Sequence, residues 1–204
     1  RTFFVNQATP EGIGNRLMDE GARLCDGHGE FAIITATLTA GNQREWMKYI
    51  QARLAEKYPD MKLVAVRPCD DLKDRAQSEA TALMSAYPNL KLIMAICSPG
   101  VPGAAEAVKQ AGKAGQVRVT GLGLPNENQR YVKEGVTGAV ILWNTDHLGY
   151  LTAYAAVAVA RDELKPGAKT FRAGSLGEFR VVGDNILLGQ PFVFTKDNID
   201  QFNF

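Results

Sequence analysis

Apolar runs of strand length alternate with segments of helical spacing along most of this chain, and that alternation restricts the fold more than any other feature. Leu90–Ala114 shows one unit in full. Leu92–Ile96 is a short apolar run, Cys97-Ser98-Pro99-Gly100-Val101-Pro102-Gly103 is rich in turn formers, and apolar residues then recur at Ala104, Ala107, Val108 and Ala111. Strand, crevice loop and helix follow from that order, with Pro102 and Gly103 near the helix start. Thr2–Val5, Phe31–Ala36, Leu63–Val66, Val117–Thr120 and Ala139–Trp143 read as further strands. The turn Tyr58-Pro59-Asp60-Met61-Lys62-Leu63 recurs as Tyr87-Pro88-Asn89-Leu90-Lys91-Leu92, as successive βα units would require. The expected class is α/β: a doubly wound parallel sheet with right-handed crossovers, whose ligands sit beyond the carboxyl ends of the strands.

Local signals fill in the frame. Thr9-Pro10-Glu11 combines an N-cap, a proline in the first turn and an acid at the positive end of a helix. Asn42 with Glu45 resembles a capping box, and Asp71 and Thr145 read as caps of later helices. After Gly167 the alternation stops. Phe179–Val182 and Ile186–Leu188, around Gly183-Asp184-Asn185, read as a C-terminal β-hairpin, and Pro191–Thr195 as a last extended piece.

Composition excludes several classes. Twenty-three basic against 22 acidic residues give a net charge of +1, without the excess that a nucleic acid or an anionic membrane would select. No apolar run reaches the roughly 20 residues of a membrane helix. His28 and His147 lack metal-ligand spacing, and Gly121-Leu122-Gly123 lacks the third glycine of a dinucleotide fingerprint. Neither a cofactor nor a metal site is expected, and no nucleophile–base pair points to an enzyme. Cys25, Cys69 and Cys97 are too scattered for a disulfide framework. With one strand between them, Cys69 and Cys97 are expected about 9–10 Å apart, beyond bridging range.

Polar residues gather at the expected strand ends instead: Asn42, Gln43, Asp70, Asp71, Ser98, Asn126 and Asn144, with Trp143 beside them. Neutral amides and hydroxyls offer paired donors and acceptors, and an indole face covers the C–H side of a sugar ring. That combination suits a neutral polyol. Helix capping is the competing reading for several of these residues.

Val5-Asn6-Gln7-Ala8-Thr9-Pro10, Thr39–Trp46, Ala86-Tyr87-Pro88-Asn89-Leu90, Val101-Pro102-Gly103-Ala104-Ala105, Leu142-Trp143-Asn144 and the closing Phe194-Thr195-Lys196-Asp197-Asn198-Ile199-Asp200 form a wider pattern. Through them the chain resembles periplasmic sugar-binding proteins of ABC importers, in the rhamnose- and autoinducer-2-binding branch. The resemblance implies a lobe of the type I periplasmic binding fold, two lobes joined by three crossing segments, and ligand held in the cleft between them. Residues 1–142 would be the C-terminal lobe, 143–176 a hinge crossing and a helix of the N-terminal lobe, and 177–204 the return crossing and tail. Most of the N-terminal lobe would be absent, which fits the abrupt start at Arg1. The implied ligand positions are Asn42, Gln43, Ile96, Cys97, Ser98, Leu124, Pro125, Trp143 and Asn144. Asn42, Ile96 and Ser98 stand where autoinducer-2 binders resemble one another in having an acid, a proline and an alanine, which favours the rhamnose type. The implied partners are a small sugar and a membrane permease, and the implied location is the periplasm. The alternatives are an autoinducer-2 binder and the effector domain of a LacI-type regulator. An isolated lobe would bind sugar weakly or not at all, and its helix from Thr145 to Leu164 would find apolar cover in a second chain, by self-association, or remain loosely held.

Overall fold

In the computed structural model, which describes residues 1–204, a short strand β1 (Phe4–Asn6) leads into helix α1 (Pro10–Leu24). The Thr9 hydroxyl accepts the Gly12 amide at 3.0 Å and caps that helix. There follow β2 (Gly29–Thr35), α2 (Gly41–Lys57), β3 (Met61–Pro68), α3 (Lys73–Ala86), β4 (Leu90–Ala95), α4 (Gly100–Gln110), β5 (Arg118–Leu122), α5 (Pro125–Lys133) and β6 (Thr137–Leu142). Helix α6 (Thr145–Ala160) precedes four short strands: β7 (Thr170–Arg172), β8 (Glu178–Val182), β9 (Asn185–Leu187) and β10 (Phe192–Phe194).

The larger sheet has the order β10-β6-β5-β4-β2-β3, parallel throughout except for β10, which runs antiparallel along β6. Both faces are covered, and the two-residue period of each strand divides its side chains between them. Ala32, Ile34, Ile93 and Ala95 pack with residues of α3, α4 and α5, whereas Phe31, Ile33, Leu92 and Met94 pack with α1 and α2. The helices press closely. A Cβ on Gly14 would lie 2.6 Å from the Tyr49 Cβ, and one on Gly103 within 2.8 Å of the Ala76 Cβ.

The second sheet has the order β1-β9-β8-β7. Helix α6 covers it through Leu151, Ala155 and Ala158, which pack with Phe171, Val181 and Ile186. The expected hairpin is present as β8–β9, with Val182 opposite Asn185. β1 heads the stretch expected to form one lobe, but it pairs in parallel with β9 of the small sheet. The chain therefore passes between the sheets at three places: 7–9, 143–144 and 188–191. On its outer side α6 exposes Tyr150, Tyr154 and Val157, the two tyrosines stacked at 4.5 Å.

Three expected caps move. Helix α2 begins at Gly41 after Ala40, so Asn42 lies inside the first turn and forms no capping box. Leu72, not Asp71, is the N-cap of α3, because Asp70 and Asp71 both adopt left-handed φ angles (51° and 56°) in the turn before it. Asn144, not Thr145, caps α6, its Oδ1 accepting the His147 amide at 2.8 Å.

Candidate functional site

Because β2 to β6 are parallel, the loops that follow them share one edge of the large sheet. Strands β3 and β4 lie on opposite sides of β2, so the winding reverses between β2 and β4. Helices α2 and α4 then leave on opposite faces and a crevice opens between their first turns, the place where open α/β sheets bind ligands. Asn42 and Gln43 border this crevice from the β2 side, and Ile96, Cys97 and Ser98 from the β4 side. Leu124 and Pro125 continue the edge after β5, and Trp143 and Asn144 after β6.

These residues do different jobs. Gln43 is buried, and its Oε1 accepts the Ala36 amide at 2.8 Å and the Thr35 hydroxyl. It holds the β2–α2 loop in shape and keeps only its NH2 group for other partners. Ile96 is fully buried beneath the crevice among the residues of α1 and α2. Asn42 and Ser98 are exposed at its rim. Leu124 is half-buried, and its carbonyl accepts the Asn128 NH2 at 2.9 Å, which fixes the entry to α5 at Pro125. Asn144 spends its oxygen on its helix cap.

Trp143 is half-buried where the chain leaves the large sheet, and it packs against the cores on both faces. Its ring lies 6.4 Å from that of Trp46, tilted by 58°. Trp143, Asn144 and His147 line a cavity of about 380 Å³ whose other wall includes Gln190, Phe192 and Phe179. This cavity lies at the crossings between the two sheets. Gln190, in the third crossing, and Phe192, at the start of β10, were missed from the sequence. Gly189, with φ of 149°, was the one local sign that the chain turns sharply there. A second cavity of about 490 Å³, bordered by His28, Lys91, Lys113 and Arg118, lies at the opposite edge, where the strands begin, and touches none of these residues.

The cysteines correct the sequence reading. Cys69 and Cys97 are both buried, and their sulfurs are 3.4 Å apart. One strand does separate β3 from β4, but β2 ends at Thr35 and the next residue toward the crevice is the small Ala36. Cys69 donates its amide to the Thr35 carbonyl, and Ile96 donates its amide to the Ile34 carbonyl, so both loops hug the end of β2. The two thiols point to the same face and meet beside Ala36.

Residues 1–164 match the family described as periplasmic binding protein domain. The chain belongs to the periplasmic binding protein family. Among curated proteins, the D-allose-binding periplasmic protein of Escherichia coli (strain K12) is 33% identical over 164 residues, which are 79% of this chain and 50% of that protein. The chain thus spans half the length of this curated relative. A solute-binding protein of Clostridium phytofermentans with bound L-rhamnose superposes with a TM-score of 0.91 at 31% identity, covering 98% of this chain and 67% of that one. LsrB of Clostridium saccharobutylicum in complex with AI-2 gives a TM-score of 0.93 at 23% identity, over 100% of this chain and 71% of that one. At that identity the second superposition speaks for the fold alone. The α/β fold of this chain, with its mostly parallel sheet, matches that of periplasmic binding proteins of type I.

Proposed function

We propose that this chain supplies one lobe and the hinge crossings of the solute-binding component of an ABC sugar importer, which captures a neutral deoxyhexose, L-rhamnose, and delivers it to a membrane permease. The superposition on the L-rhamnose-bound protein at 31% identity over 98% of the chain is the observation that carries this reading. The chemistry of the crevice agrees with it. Asn42, Ser98, Gln43 and Asn144 present neutral donors and acceptors, Trp143 presents an indole, and no buried charge awaits an ionic ligand.

In this reading residues 1–142, apart from β1, form the C-terminal lobe, 143–176 a hinge crossing with a helix of the other lobe, and 177–204 the β8–β9 hairpin of that lobe's sheet, the return crossing and the tail. β1 joins the other lobe. The opposite wall of the cleft belongs to the part of the relatives that this chain does not match. Asn42, Gln43, Ile96, Cys97, Ser98, Leu124, Pro125, Trp143 and Asn144 form this wall. Ile96 and Cys97 shape it from below, and the exposed polar groups touch the sugar. The protein works in the periplasm without cofactor or covalent chemistry, since closure of two lobes is all that capture requires.

The D-allose-binding relative, at 33% identity, favours a second reading in which the sugar is a hexose that keeps its 6-hydroxyl. A thermal-shift titration of the protein at its full two-lobed length separates the two. Ligand at 100 times its dissociation constant stabilises the native state by about 2.7 kcal/mol. The expected result is a concentration-dependent rise in midpoint with L-rhamnose and none with D-allose or AI-2. A rise with D-allose alone would move the assignment to the hexose, and a flat response to every sugar would overturn the sugar-binding reading.

A further inference from the structure

The crevice holds a buried pair of thiols on neighbouring loops, whose reactivity sugar capture does not call on. We propose that Cys69 and Cys97 are a redox couple, a dithiol that a small peroxide converts into a reversible disulfide linking the β3–α3 turn to the β4–α4 loop. The inference is independent of which ligand the crevice takes.

The two sulfurs lie 3.4 Å apart. A disulfide needs about 2.05 Å, so they must approach by roughly 1.4 Å. Both residues sit in loops beyond the strand ends, where such a movement does not break a ladder of the sheet. The arrangement also makes one sulfur the nucleophile. The hydrogen bond with Cys97 and the backbone N–H groups of the following turn hold the Cys69 thiol below its ordinary value despite burial. Cys97 is pushed in the other direction by Cys69 and by burial, and remains protonated. Cys25 lies on the other face of the sheet, and burial raises its thiol to about 11.

The chemistry balances with hydrogen peroxide as oxidant. The Cys69 thiolate attacks one peroxide oxygen, the O–O bond breaks, and hydroxide leaves to give a sulfenic acid. The Cys97 sulfur then attacks the Cys69 sulfur. The S–O bond breaks, its oxygen departs as water with the Cys97 proton, and the disulfide forms. Overall, two thiols and one peroxide become one disulfide and two waters. Burial of both sulfurs favours an oxidant the size of water over a bulky disulfide.

The test treats the folded protein with hydrogen peroxide, removes the excess, unfolds it and counts free thiols with a maleimide by mass. Peptide mapping locates them. The expected result is loss of two of the three thiols together, a peptide linking Cys69 to Cys97, Cys25 still labelled, and full recovery of the thiols with dithiothreitol. Cys69→Ala and Cys97→Ala, each checked by circular dichroism, should give no linked peptide and no loss of thiols in pairs. Three persisting thiols, recovery of either cysteine only as a sulfinic or sulfonic acid, or disulfides only between chains would overturn the proposal. The wild-type count decides the matter even if a variant fails to fold.

Discussion

Replacing Gly121 by alanine is expected to destabilise the protein by about 4 kcal/mol or more, enough to remove much of the stability of an ordinary domain. Gly121 pairs with Ala95 across the parallel β4–β5 ladder and has φ of 150°, a conformation that side chains rarely adopt. A Cβ there would overlap the Ala95 carbonyl, a backbone group that cannot swing away as a side chain could. Relief would require β4 and β5 to separate at the edge that carries Ile96 and Cys97. Chemical denaturation measures the effect directly. Gly112→Ala is the internal comparison: its φ is 64° and no atom lies within 4 Å of the added Cβ. That change should cost only about 1–2 kcal/mol, the price of a left-handed conformation without a clash. Equal losses at the two positions would contradict the geometry at Gly121.

Phe194→Ala should cost about 3–5 kcal/mol. Phe194 is fully buried in β10, and its ring meets those of Phe202 at 4.7 Å and Phe204 at 6.0 Å, both edge-on. This cluster ties the tail back to the large sheet after the third crossing, alongside Val140 of β6. Its loss should loosen the tail as well as lower stability, and limited proteolysis would show earlier cleavage after Lys196. Phe192, two residues away and 49% exposed, points to the crossings and is the control. Its replacement by alanine should cost about 1 kcal/mol.

Much of the architecture was legible because periodicity carries it. Phe31 to Thr35 is apolar at nearly every position, which only a strand covered on both faces tolerates, and the structure divides those side chains between two cores. Thr9 was readable as a cap because Thr-Pro-Glu satisfies three separate preferences of a helix start. The hairpin was readable from Gly183-Asp184-Asn185, where Gly183 has φ of 63°.

What escaped the sequence was convergence beyond the strand ends. Residues there follow no period, and their direction depends on where each strand stops. Asn42 looked like a cap, whereas the helix starts one residue earlier and Gln43 turns inward to hold the Ala36 amide. Strand spacing put Cys69 and Cys97 far apart, yet β2 ends short enough for the thiols to meet beside it. Gln190 and Phe192 reach Trp143 only because the third crossing runs beside the second, a relation between segments far apart in the chain.

The central claim is that the carboxyl edge of the large sheet, and no other surface of this chain, carries the sugar site. Amide chemical-shift mapping of the labelled chain during titration with L-rhamnose tests it most directly. With one wall of the cleft, affinity should be of millimolar order. The expected shifts fall on Asn42, Ser98, Leu124, Trp143 and Asn144, with the Trp143 indole N–H among the largest. Shifts confined to the opposite edge, around His28, Lys91 and Arg118, or no shift at saturating sugar, would contradict the claim.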